Sequence, residues 1–218
     1  MRVSPTISTL AGLALIAAIG VDPASAQNAA HAHMGHVADG FGDTPDGMGL
    51  LPTALAEAEV ASTHAGLALR DLSNLDAIKR HTGHVLHAVD PNEMAAGPGL
   101  GYGVRRAAEG VVRHIEMAGS FDGASENIQL HSQHVSTAAG NTVERVDEIV
   151  DLARRIMATS SASEAAPLME ELAALAGQLV SGVDADGDGR IGWQEGEGGL
   201  EQADRHMTLM KRGEGMGD

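Results

Sequence analysis

Apolar residues recur along most of this chain at helical spacing, and no stretch shows the period-two alternation of a strand. At about 100° per residue, Leu55, Ala58, Ala61, Ala65, Leu69 and Leu72 fall on one broad face, which predicts a helix from Pro52 onward. Ser73-Asn74 breaks it. A second helix carries Leu75, Ile78, Val85, Leu86 and Val89 and ends at Pro91, because the residue before a proline is poorly suited to helix. Gly97, Gly99, Gly101 and Gly103 make 91–103 a loop. Val104 to Ala118 follows as a helix with Val104, Ala107, Ala108, Val111, Ile115 and Ala118 on one face, then a turn at Phe121-Asp122-Gly123. From Ser125 to about Thr159 the period persists through Ile128, Val135, Ala139, Val146, Ile149, Val150, Ala153, Ile156 and Met157, with Gly140-Asn141 as a kink or a split. After a loop at 160–163, Pro167 fits the first turn of a helix running to Val180, with Leu168, Leu172, Leu175 and Leu179 as its stripe. A last helix covers Leu200 to Arg212, with Leu200, Ala203, Met207 and Met210 inward. The fold class predicted is all-α, an antiparallel bundle of short-looped helices.

The N-terminal part lacks such a period. Residues 1–26 read as a secretory signal: Arg2, an apolar run from Leu10 to Gly20 too short to span a bilayer, and the cleavage pattern Ala24-Ser25-Ala26. Residues 27–51 read as a flexible His-, Gly- and Asp-rich segment. The expected organisation is then a histidine-bearing bundle over 52–163, a helix–loop–helix unit packed on it over 164–212, and a short tail at 213–218. A periplasmic or secreted location follows from the leader.

Composition narrows the chemistry. The 218 residues contain no cysteine, which removes disulfides, thiolate zinc sites, iron–sulfur clusters and covalently attached c-type haem. The net charge of −16 argues against nucleic acid and anionic membrane as partners and suits a cation. The aromatics are Phe41, Tyr102, Phe121 and Trp193 alone, so Ala, Leu, Val and Met must build the core, as close-packed helices allow.

One stretch supplies hard oxygen ligands at regular spacing. Asp184, Asp186 and Asp188 occupy positions 1, 3 and 5 of a twelve-residue run. Gly189 stands where the loop must turn sharply. Arg190 offers a backbone carbonyl, Gly192 leaves room for a water, and Glu195 closes the run with a carboxylate. Ile191 should pin the loop to the core. An acidic surface turn is the plain alternative. The run resembles the EF-hand calcium-binding loop over about residues 168–199, with every position of the pattern met. That resemblance implies calcium held by Asp184, Asp186, Asp188, Glu195 and the Arg190 carbonyl. EF-hands usually pair and no second loop is present, so the loop either stands alone or pairs across a homodimer. Gly196, Gly198 and Gly199 break the exit helix, which favours a structural clasp over a calcium switch.

The histidines form the second constellation. His31, His33, Met34 and His36 suit copper, nickel or zinc, although a floppy site must be ordered at an entropic cost. On the predicted helices stand His64, His81, His84, His87, His114, His131, His134 and His206. Helical-wheel positions bring His64, His81, His84, His114 and His131 toward a bundle interior and send His87 toward solvent. Those five are the candidate second site, for copper, zinc or haem. Ordinary core or pH-responsive histidines are the alternative. The loop 97–103, with Arg105 and Arg106 near, could cradle an anion, but it has no preceding strand or Walker spacing, so a tight connection fits better. No nucleophile–base motif is present, and the expectation is a non-enzyme. Two functional readings stand: a calcium-braced helical protein, or a transition-metal or haem carrier.

Overall fold

The computed structural model describes residues 23–217. Residues 1–22 of the expected leader lie outside them. Seven α-helices make up the described chain: α1 (Pro23–Ala38), α2 (Leu50–Ala68), α3 (Leu75–Val89), α4 (Val104–Ser120), α5 (Glu126–Ala158), α6 (Ala162–Ser181) and α7 (Leu200–Gly213), with no strand among the described residues. Their buried faces merge into one apolar core. No described helix is long and apolar enough to cross a membrane.

The helix starts follow local chemistry. Asn74 caps α3, its side chain accepting from the Ala77 N–H at 3.0 Å. Ser125 caps α5 through the Ile128 N–H, and Ser161 caps α6 through the Glu164 N–H. Helix α5 spans 33 residues, about 50 Å at 1.5 Å per residue, and packs against α3, α4, α6 and α7. It runs unbroken through Gly140-Asn141, where a kink or split was expected. Asn141 does not compete with its own helix, because its side chain bonds outward to the Gln194 and Gly198 carbonyls and to the Gly196 N–H.

Three further expectations change. Of the segment expected to be irregular, residues 27–38 lie in α1, held by Ala30, Met34 and Val37, all fully buried, while 39–49 stays outside α-helix. Spacing of four and three residues gives a narrow stripe that the surrounding histidines hide. His87 does not face solvent: it is 7% exposed, with Nδ1 2.8 Å from the Met94 carbonyl oxygen. Ile191 is 38% exposed and lies over Gly182 instead of entering the core.

The glycine loop cradles an anion after all, and the anion is the protein's own. Glu57 on α2 is fully buried, and its carboxylate accepts N–H groups from Leu100 (3.1 Å), Tyr102 (2.8 Å) and Gly103 (3.0 Å). A Cβ on Gly99 would stand 2.3 Å from the Glu57 Oε2, at φ +122°. Only glycine allows this approach.

The acidic stretch leaves α6 through Gly182 and re-enters helix at Leu200, with turns and no helix over 193–199. Two α5 side chains fasten this exit. Asn141 is one, and Arg145 is the other, 5% exposed and donating to the carbonyls of Gly198 (2.7 Å), Gly196 (2.7 Å) and Glu197 (2.9 Å).

Candidate metal centres

Nine histidines gather into three trios, each with one ring nitrogen per residue within 4.8 Å of the others. The first joins His33 and His36 on α1 to His114 on α4. The second joins His81 and His84 on α3 to His64 on α2. The third joins His131 and His134 on α5 to His206 on α7. Each has the same construction. Residues three apart on a helix are surface neighbours, so His-x-x-His presents two rings side by side. A facing helix adds the third.

The converging atoms are Nδ1 in every case. His114 Nδ1 lies 2.8 Å from that of His33 and 3.4 Å from that of His36. His64 Nδ1 lies 3.1 Å from both His81 and His84. His206 Nδ1 lies 3.1 Å from His131 and 3.3 Å from His134. Nitrogens bound at about 2.0 Å to one tetrahedral ion are roughly 3.3 Å apart, and cis ligands of a square-planar ion roughly 2.8 Å. The observed separations span that range. Hydrogen bonding serves the trios less well. A neutral ring nitrogen is either an N–H donor or a lone-pair acceptor, so three converging Nδ1 atoms cannot all be matched by one another's protons. One cation would accept all three lone pairs.

Burial favours the neutral form of seven of these rings. All nine are half-buried. Burial, followed by mutual repulsion within the trio, lowers the pKa of His33, His64 and His114 below 6.5. Burial lowers His81 as well, helped by Arg80, then His84 and Arg70. His131 is lowered by burial, and His134 by burial and His131. His206 falls furthest, to about 4, through burial, then His134, His131 and Arg205. A neutral imidazole is the form that binds metal.

The five histidines expected to share a site do not. His64, His81 and His84 form the second trio, His114 belongs to the first and His131 to the third. Helical-wheel arithmetic gives direction around an axis, not height along it or which helix stands opposite. His33 and His36 come from the segment taken as a tail, and His134 and His206 were outside the candidate set. The recurring His-x-x-His at 33–36, 81–84 and 131–134 is the signal that finds His33, His36 and His134, whereas His206 stands alone and is brought in only by the packing of α7 on α5.

In the acidic loop Asp184, Asp186 and Asp188 bring their carboxylates within 4.8 Å of one another. Asp184 accepts the N–H groups of Gly187, Asp188 and Gly189; Asp186 accepts that of Asp188; Asp188 accepts that of Arg190. Glu195 is exposed and outside this cluster. Glu197, buried two residues on, accepts the Gly192 N–H at 2.9 Å.

Comparison with protein-family models, with curated proteins and with solved structures finds no match to this chain, so its trios are read from their own geometry.

Proposed function

We propose that this protein binds first-row divalent transition metals at three separate three-histidine sites and acts as an exported metal reservoir or carrier. The observation that carries this reading is the threefold recurrence of one construction, a His-x-x-His pair facing a single histidine with Nδ1 separations of 2.8–3.4 Å. Imidazole ligands suit zinc, copper, nickel and cobalt, and copper should bind most tightly by the Irving–Williams order. A haem between two axial histidines would hold their nitrogens roughly 4 Å apart, twice a metal–nitrogen bond, so a bare ion fits the trios better. Elemental analysis of protein equilibrated with cobalt or zinc tests the reading. Three ions per chain are expected, falling to two in each of His114→Ala, His64→Ala and His206→Ala. Loss of no ion in any of these variants would overturn it.

The acidic loop supports a second assignment, calcium held as a structural brace by Asp184, Asp186 and Asp188. The alternate-residue spacing and the turn formed by their accepted N–H groups favour it. Outside the cell calcium is near millimolar, so a weak site would be filled. Terbium luminescence sensitised by Trp193 should saturate at one ion per chain and vanish in Asp184→Ala; unchanged binding in that variant would remove calcium from the loop.

A further inference from the structure

Only four aromatic residues occur in the chain, and three of them stand against the histidine trios. Phe121 stacks on His33, with centroids 5.7 Å apart and planes at 26°. Phe41 meets His36 edge-on at 5.4 Å and His114 at 5.1 Å. Trp193 stacks closely on His134, at 3.9 Å and 22°. Among the described residues, the rings of the second trio meet no aromatic ring but their own. Beside it instead opens a cleft of about 280 Å³, lined by His64 with Glu59, Thr63 and Pro98.

Phe41 and Phe121 also pack against the apolar core, whose buried residues are Ala, Leu, Ile, Val and Met with Tyr102, so each ring stands between the core and a trio. The apolar shell around a metal controls access of water and of incoming ligands. A ring lying flat on a coordinated imidazole blocks one approach to the ion and restrains the imidazole from swinging away. A cleft at a ligand does the opposite. Glu59, an exposed residue of its lining, adds a carboxylate that an arriving or departing ion can use in passing.

We propose that the three sites are of two kinds: the first and third retain metal behind Phe41, Phe121 and Trp193, and the second, at His64, His81 and His84, is the port where divalent ions enter and leave. This rests on the reading of the trios as metal sites. Retention and exchange would then be divided within one chain, with the port filled first and emptied first.

Release kinetics test it. Protein loaded with cobalt is mixed with excess EDTA, and loss of the cobalt spectrum is followed. One ion per chain should leave in a fast phase, and two at rates at least about tenfold slower, the scale on which a metal's outer surroundings act. The fast phase should disappear in His64→Ala, with both slow ones kept. Phe41→Leu with Phe121→Leu should speed one slow phase, and Trp193→Leu the other. Circular dichroism establishes that these variants keep their helices, and the unsubstituted protein carries the test even if one does not. A single rate for all three ions would overturn the proposal, as would a fast phase lost in His114→Ala or His206→Ala instead. Failure of the underlying metal reading looks different, because no cobalt is then bound at all.

Discussion

Replacing Arg145 by Met should loosen the C-terminal segment and cripple one of the proposed metal sites in particular. The guanidinium is buried on α5 and makes three hydrogen bonds, at 2.7, 2.7 and 2.9 Å, to the carbonyls of Gly198, Gly196 and Glu197. Methionine keeps the apolar stem and removes the charge. Bonds from a charged donor contribute roughly 1.5–3 kcal/mol each. The loss is smaller than their sum for two reasons. The Gly198 carbonyl keeps its bond from Asn141 and the Glu197 carbonyl its bond from the Val183 N–H. The variant also avoids desolvating a guanidinium, a penalty of several kcal/mol. A net loss of about 3 kcal/mol follows, which at 2–4 °C per kcal/mol for a chain of this size lowers Tm by roughly 6–12 °C. The effect on metal should be local. The fastened segment carries Trp193 and leads directly into α7, which holds His206, so the third trio weakens while the first and second keep their affinity. Thermal unfolding and cobalt titration, with quenching of Trp193 as the reporter of the third site, measure both. A Tm change under about 1 °C, or an equal loss at all three trios, would refute the reasoning.

Acid should destabilise the metal-free protein in a defined window. His33, His64, His81, His114, His131 and His134 are lowered below 6.5 in the fold and His206 falls to about 4, so the unfolded chain binds more protons at these groups. Their contribution is complete above about pH 6.5 and is lost as pH falls toward 4, and denaturant unfolding across that range reads it. Bound cobalt should leave over the same range, as protons compete with the ion for Nδ1. Glu214, whose side chain is 4% exposed, is lowered to about 2: burial would raise it, but bonds from Ser125, Asn127, His31 and Gln27 outweigh that, so its contribution persists to lower pH, being full above 4.5 and lost only as pH falls through 2. Gly99→Ala should cost about 1–3 kcal/mol, since the new methyl collides with the Glu57 carboxylate at a backbone angle alanine resists; a chevron or equilibrium melt showing no loss would contradict the cradle described for that loop.

The helical class was legible because long stripes such as Leu168–Leu179 and Ile128–Ile156 repeat at helical spacing, and burial rewards that spacing whatever lies opposite. Helix α1 was not legible, because three buried residues among histidines and glycine make a stripe too thin to stand out. The trios needed tertiary information. His64 and His81 are 17 residues apart in sequence, but His33 and His114 are 81 apart, and only the packing of α1 on α4 brings them together. Glu57 is a charge within an alanine-rich helix, and nothing local announces that three backbone N–H groups from 43 to 46 residues downstream will enclose it. The alternate aspartates at 184–188 were legible because their association is local. The fate of Ile191 was not, because it depends on how Asn141 and Arg145 dock the segment.

Anomalous diffraction from crystals of the cobalt- or zinc-loaded protein tests the central claim most directly. The account predicts three peaks, each about 2 Å from three Nδ1 atoms: His33, His36 and His114; His64, His81 and His84; His131, His134 and His206. Metal confined to the carboxylates of the acidic loop, with no peak at any histidine trio, would contradict it.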